Sequence, residues 1–428
     1  MANAAVKEVA APGTEEARPA DAADVRPVPR ISVQAFCESP EVAAAVEAAA
    51  TDRRMQKAHV KAHMGGIPAA AEFYSSAPTP NLVIVESHHS GERLIADLGR
   101  LAAVCDPTTK VVVVGHTNDI DLYRDLTKRG VSEYLVVPVN VLSIIRSISE
   151  LYADPGAEPL GRTVAFVGAK GGVGSSMVAH NVAWSIARKF SNDVVLADLD
   201  LAFGTAGLDF NQDPSQGIAE AVHSPERLDD TFLDRLLSKC TDHLSLLAAP
   251  ATLDRMCDFD ETTFEPIIDV AQGGVPVVVL DVPHVWTAWA KKTLLAADEV
   301  VITLEPDLAN LRNAKNLIDL LKASRANDAP PRLILNKVGV AKRPEIKTPD
   351  IVAALGAEPV ISIPFDAQLF GNAANNGQMI GEADAKNAIA ESFDRVAELV
   401  TGRTEIKKVK RSGLGAMLGK LRGKKKAD

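Results

Sequence analysis

The sequence predicts an α/β protein made of two doubly wound parallel-sheet domains in series. Three observations carry this. Short β-branched runs alternate with helical stretches twice along the 428 residues, a rhythm that implies parallel sheets covered on both faces. An apolar strand at 164–168 runs straight into a glycine-rich turn and then a helix. Between the halves, 153–161 contains Asp154-Pro155-Gly156 and Pro159, the composition of a linker. The chain therefore divides into a leader (1–29), a first domain (30–152), the linker (153–161), a second domain (162–402) and a basic tail (403–428).

The leader is rich in Ala, Pro, Glu and Asp with no apolar period, which reads as disordered. In the first domain Ile31 to Phe36 is a strand. Glu41 to Ala50 is a helix opened by Ser39 and Pro40. His59 to His63, Asn81 to Val85, Lys110 to Val114 and Tyr134 to Pro138 are the further strands. Asp119 to Arg129 and Val141 to Leu151 are helices. This (βα)₅ spacing resembles a response-regulator receiver domain. The resemblance does not extend to its chemistry. Ala35-Phe36 stand near the expected acidic pair, Glu86 stands where the phospho-acceptor Asp belongs, and Val137 replaces the lysine. The expectation is a docking or dimerisation module rather than a phosphorylated one.

The second domain opens on Val164 to Gly168, then Ala169-Lys170-Gly171-Gly172-Val173-Gly174-Ser175-Ser176. Glycines let backbone N–H groups curl around an anion, and the helix start adds free N–H groups. Ser176 stands at the Mg²⁺-ligand position of a P-loop. The usual P-loop lysine is replaced by Ser175, while Lys170 precedes the double glycine. Further along, Asp193 to Leu201 reads as a strand with Asp198 and Asp200 at its carboxyl end, where such sheets bind ligands. Leu244 to Pro250 is another core strand, and 212–264 mixes helix and short strand. Val277 to Val282 carries Asp281 at its tip, the placement of a Walker B carboxylate that binds Mg²⁺. Asp298 to Thr303 and Arg332 to Lys337 are strands, with Leu308 to Ala323 a helix between them. Asn336 offers both a donor and an acceptor. Ile361 to Asp366 includes Pro364, and Ala385 to Val400 is a last helix. Trp286 and Trp289 are read as interface or core residues.

Composition narrows the function. The apolar share, 46%, is that of an ordinary soluble globular chain. The four cysteines are scattered without metal-like spacing, so they read as thiols in a reducing compartment. No signal peptide and no membrane-spanning run stands out, so the expected location is cytoplasmic. The chain carries a net charge of −10 although 403–428 holds ten Lys/Arg against two acids. The body is therefore strongly acidic, which argues against a nucleic-acid partner. In the tail Leu414, Met417, Leu418 and Leu421 share a helical face among basic residues, and Gly413, Gly415 and Gly419 weaken that helix. A membrane surface, acidic partner surfaces and plain solvent all remain open for it.

Taken together, the loop 168–176 and the strand and loop Asp198 to Asp209 resemble the MinD/ParA deviant Walker A ATPases. The receiver-like domain fused ahead of them resembles the CpaE/TadZ family of Flp/Tad pilus assembly proteins. The resemblance implies ATP and Mg²⁺ as cofactors, with Lys170 and residues 171–176 on nucleotide. It implies that Lys170 reaches across a dimer, that Asp200 orients water, and that Ser176, Asp281 and Asp198 serve the metal. Asn336 and Pro364 would face the base. It further implies a homodimer when ATP is bound, pilus or secretion-apparatus proteins and polar landmark proteins as partners, and a place at a cell pole. With Ser175 in the P-loop, weak ATP hydrolysis and no hydrolysis both stay open. The alternatives are a catalytically inactive, nucleotide-independent scaffold and a MinD/ParA-type positioning ATPase of another system. A nitrogenase-reductase-like redox role is excluded, because no paired cysteines are placed to hold a cluster.

Overall fold

Fully apolar runs such as Leu82 to Val85 and Val277 to Leu280 can only be stable as strands covered on both faces, and that is how they fold. The computed structural model describes residues 25–153, 160–214, 216–253 and 258–402. The leader up to residue 24, residues 154–159 of the linker and the tail from 403 lie outside the described residues.

The first domain is a parallel sheet of β1 (Ser32–Cys37), β2 (His59–Met64), β3 (Leu82–Ser87), β4 (Lys110–Gly115) and β5 (Glu133–Val136), in the order β2-β1-β3-β4-β5. Helices 40–50 and 141–152 cover one face, and helices 66–74, 91–102 and 120–128 pack around the other. Ser39 caps the first helix as its sequence suggested, accepting the N–H of Val42. The start of the domain needs one correction. Val25 and Val28 are buried in this core, and the Val28 N–H donates to Arg54 O, so the packed unit begins by residue 25, inside the stretch read as leader.

The second sheet has eight strands: β6 (Arg162–Gly168), β7 (Val194–Asp198), β8 (Ser238–Thr241), β9 (Leu244–Leu247), β10 (Val277–Val282), β11 (Glu299–Leu304), β12 (Arg332–Val338) and β13 (Pro359–Pro364). Their order is β13-β12-β11-β6-β10-β7-β9-β8. All neighbours are parallel except β8 on β9, so the expected all-parallel sheet carries one antiparallel edge strand. Only the two-residue connection Asp242-His243 joins those strands, too short for a crossover, which forces a hairpin. The helices 175–190 and 388–401 share one face with Trp184, and helices 265–274, 288–296 and 308–324 line the other.

A buried ionic cluster joins the domains. Arg53 Nε lies 2.7 Å from Asp328 and its Nη1 3.0 Å from Asp298. Arg54 pairs with Asp52 and Asp328, and Arg325 with Asp328. Burial would push the Asp328 pKa up, but Arg53 and the other guanidinium groups outweigh it and hold it down at about 2, from an ordinary 3.8. A depressed carboxylate contributes stability above its unfolded pKa and loses it as pH falls through the folded one. The expected contribution is about 2 kcal/mol. In urea unfolding the gap between wild type and Asp328→Asn should be of that size at pH 7 and should close by pH 2. An equal gap at both pH values would refute the assignment.

Candidate functional site

The site forms where β6, β7 and β10 end. Residues 168, 170–177, 199–203, 205, 209, 282–285, 287 and 289 are among those that line a cleft of about 760 Å³. This is the carboxyl edge of a parallel sheet, the place such folds bind ligands.

The loop's geometry follows from its glycines. Gly172 and Gly174 take φ of +80° and +86°, the left-handed region that suits glycine. A Cβ on Gly174 would lie 2.7 Å from Asn336 Nδ2. Four side chains from other elements tie the loop's carbonyls outward. His284 Nδ1 lies 2.8 Å from Gly168 O, and Asn313 Nδ2 donates to Ala169 O at 2.9 Å. Lys337 Nζ donates to Gly172 O, and Asn336 Nδ2 to Val173 O at 2.8 Å. Among the described residues, the amides of 170–174 have no protein acceptor. With the carbonyls held away and the helix 175–190 starting at Ser175, the loop offers a row of N–H groups to an anion.

The carboxylates cluster beneath it. Asp198 and Asp281 face each other in register on β7 and β10, and both are buried. Asp198 accepts the N–H groups of Asp200 and Ala206 at 3.1 Å each, which fastens the loop after β7. Burial, then the neighbouring charge of Asp281, pushes the Asp198 pKa up to about 7. Asp281 Oδ1 is buried without a hydrogen-bond partner. Asp200 lines the cleft and accepts the N–H of Phe203 at 3.0 Å.

His180 is the residue that sequence reading passed over. It is fully buried on the helix 175–190, with Nδ1 2.7 Å from Asp209 and Nε2 3.3 Å from Asp281. Burial pushes its pKa down, but the two carboxylates outweigh this and raise it to about 10, so it is cationic at neutral pH. His284, Asn313 and Lys337 were also missed. Their loop contacts span 116 to 165 residues of sequence, and no local pattern signals them.

The other residues singled out from sequence fall as follows. Gly171, Ser175 and Ser176 line the cleft. Ser175 Oγ is buried without a partner. Lys170 is half exposed, its Nζ 3.7 Å from Asp307. Asn336 is buried, with its amide nitrogen bracing the P-loop and its oxygen accepting the Lys337 N–H of its own strand. Pro364 ends the edge strand beside Val338 and does not line the cleft. Trp289 packs in the core and Trp286 is exposed.

Comparison with known proteins agrees with this architecture. A family described as AAA domain matches residues 161–330. A pilus assembly protein CpaE from Caulobacter crescentus is 53% identical, covering 30% of this chain and 98% of that one. The chain belongs to the CpaE family. The assignment rests on that identity and not on the superposition, whose TM-score is 0.30. A ParA family ATPase from Chlorobium tepidum is 25% identical with a TM-score of 0.51, covering 56% of this chain and 98% of its own. The septum site-determining protein MinD of Synechocystis is 25% identical over 252 residues, 57% of this chain and 91% of that protein. This CpaE-family chain thus joins a receiver-like α/β domain to a second domain of MinD/ParA ATPase type. Among the described residues no helix is long and apolar enough to cross a membrane.

Proposed function

We propose that this protein is an ATP-dependent dimer switch that positions the Flp/Tad pilus apparatus at a cell pole. The observation that carries the reading is the P-loop itself: four carbonyls tied outward and a free row of amides above buried carboxylates. Such a loop takes the phosphates of ATP. Exposed apolar side chains line the cleft at Phe203 and Val285, with exposed Trp286 next in the chain to Val285 and exposed Leu308 next to Asp307, the partner of the half-exposed Lys170. A face of that composition suits a second copy of the chain, with Lys170 delivered to the partner's nucleotide.

The oxygens of Ser176 and Asp281 are hard donors of the kind Mg²⁺ takes, and the orphaned Oδ1 of Asp281 fits such a ligand. When bound, Mg²⁺ would screen the β- and γ-phosphate charge. Lys170 neutralises phosphate charge, and Asp200 orients water at the cleft wall. Asp198 fastens the loop after β7 against the Asp281 side of the site. Asn336 acts on nucleotide through the loop, since its amide nitrogen holds Val173 O, while Pro364 stands outside the cleft lining. Ser175 supplies no charge, and a lost charge-assisted contact is worth about 1.5–3 kcal/mol, so turnover is slow. The basic tail offers positive charge to an anionic surface, that of the inner membrane or of an acidic partner, and pilus or secretion-apparatus proteins and polar landmark proteins meet the dimer.

The test is ATP binding, phosphate release and oligomer size for wild type, Lys170→Ala and Asp200→Ala. ATP should bind and produce a dimer that Lys170→Ala abolishes, and Asp200→Ala should remove residual turnover while keeping the dimer. A chain that neither binds ATP nor changes oligomer is a nucleotide-independent scaffold, and the switch reading is then wrong.

A further inference from the structure

The receiver-like domain carries a second group of ligating side chains, far from the P-loop in sequence. It sits at the carboxyl edge of the first sheet, where β3 and β4 end. Glu86 is the last buried acid of β3, His88 follows that strand, and His116 follows β4. One donor atom from each of the three lies within 4.8 Å of the other two. His116 Nε2 is 3.0 Å from Glu86 Oε1. The rings of His88 and His116 stack with centroids 3.8 Å apart.

Two of the three donors, Glu86 and His88, are held by further partners. Glu86 Oε2 accepts the N–H groups of Glu38 and Ser39 at 2.7 and 2.8 Å, and Oε1 accepts the Ser39 hydroxyl at 2.6 Å. Those hydrogen bonds fix the orientation of the Glu86 carboxylate at the strand end. Glu38 Oε2 lies 2.6 Å from His88 Nδ1 and also accepts the His88 N–H at 2.8 Å. A carboxylate on one imidazole nitrogen is the arrangement that orients metal-ligating histidines and raises their basicity. Two carboxylates stand beside two imidazoles, at a site open to solvent on the His88 side.

We propose that Glu86, His88 and His116 bind one first-row divalent cation of the Zn²⁺ type, with Glu38 as the positioning residue. Two imidazoles and one carboxylate are a zinc donor set and a poor one for Mg²⁺, which prefers oxygens alone. Three protein donors leave a fourth position for water or for a group from a partner. Metal–donor bonds of about 2.0–2.2 Å require the three atoms to draw together, and His88 is the exposed member of the three. Bound metal would link the ends of β1, β3 and β4, the edge where a phosphorylated receiver would do its chemistry. The site thus gives that edge a different input from the phosphate that Glu86 cannot accept.

The test uses the full-length chain without a histidine tag, stripped with EDTA and titrated with zinc chloride against a chromophoric chelator. One Zn²⁺ should bind to wild type. Affinity should fall at least tenfold in His88→Ala and His116→Ala, and about 10–100-fold in Glu38→Gln. His223→Ala should bind as wild type, and magnesium chloride should not compete. Cobalt chloride should give wild type a visible tetrahedral absorption band that His116→Ala lacks. His88 is exposed, so its variant keeps the fold, and far-ultraviolet dichroism checks this. Equal zinc binding by wild type and both histidine variants would overturn the proposal, as would a wild-type chain with no cobalt band.

Discussion

His180→Ala is expected to destabilise the second domain by about 3–5 kcal/mol, the cost of stranding a buried charge. The imidazolium lies between Asp209 at 2.7 Å and Asp281 at 3.3 Å, with no exposure to water. Asp281 in turn faces Asp198 across β7 and β10. Removing the cation leaves Asp209, Asp281 and Asp198 without their shared counter-ion in a buried setting. The penalty comes from the remaining partners rather than from the lost contact itself. A second substitution separates the two. His180→Ala with Asp281→Asn should recover much of the loss, because the stranded charge is gone. Urea unfolding of the single and double variants measures this. A single variant within 1 kcal/mol of wild type would show that His180 is not the counter-ion of the cluster.

The second large effect is on nucleotide. Gly174→Ala should raise the dissociation constant for ATP about 100-fold, close to the loss of one or two charge-assisted hydrogen bonds at ~1.5–3 kcal/mol each. The reason is geometric. Gly174 sits at φ +86°, where an L-residue costs about 1–2 kcal/mol. Its new Cβ would press on Asn336 Nδ2 at 2.7 Å, and that nitrogen holds Val173 O away from the cleft. Once Asn336 moves, the carbonyl is free to turn inward and oppose phosphate. Gly273→Ala is the control, since a Cβ there meets nothing within 4 Å. Calorimetric titration with ATP should find the control unchanged. Equal affinity in Gly174→Ala would mean that the loop does not depend on this brace.

Much of this was legible without coordinates, for reasons that can be named. The strands are runs of Val, Ile and Leu whose two faces are both buried, so composition alone marks β3, β4, β6 and β10. The glycine-rich turn is local in sequence because a phosphate loop is local in space. Asp281 is visible because it ends an apolar strand. The degenerate receiver chemistry was readable from Glu86 and Val137 as single substitutions at marked positions.

What sequence could not supply is whatever depends on distant partners. Asp198 was read as an acid near metal, and the structure adds that it clasps Ala206 and faces Asp281. Asn336 was read as facing a base, and the fold spends its amide nitrogen on Val173 O of the loop and its oxygen on the Lys337 N–H. The two neighbouring tryptophans, Trp286 and Trp289, differ only by which side of a helix start meets the core. The sequence by itself determined the two sheets, the phosphate loop and the acids at the strand ends, because periodicity and glycine conformations are properties of short segments. Only the tertiary structure decided the charge on His180, the outward ties on the loop carbonyls and the meeting of Glu86, His88 and His116. Those are set by electrostatics and hydrogen bonds between residues that the chain brings together from far apart.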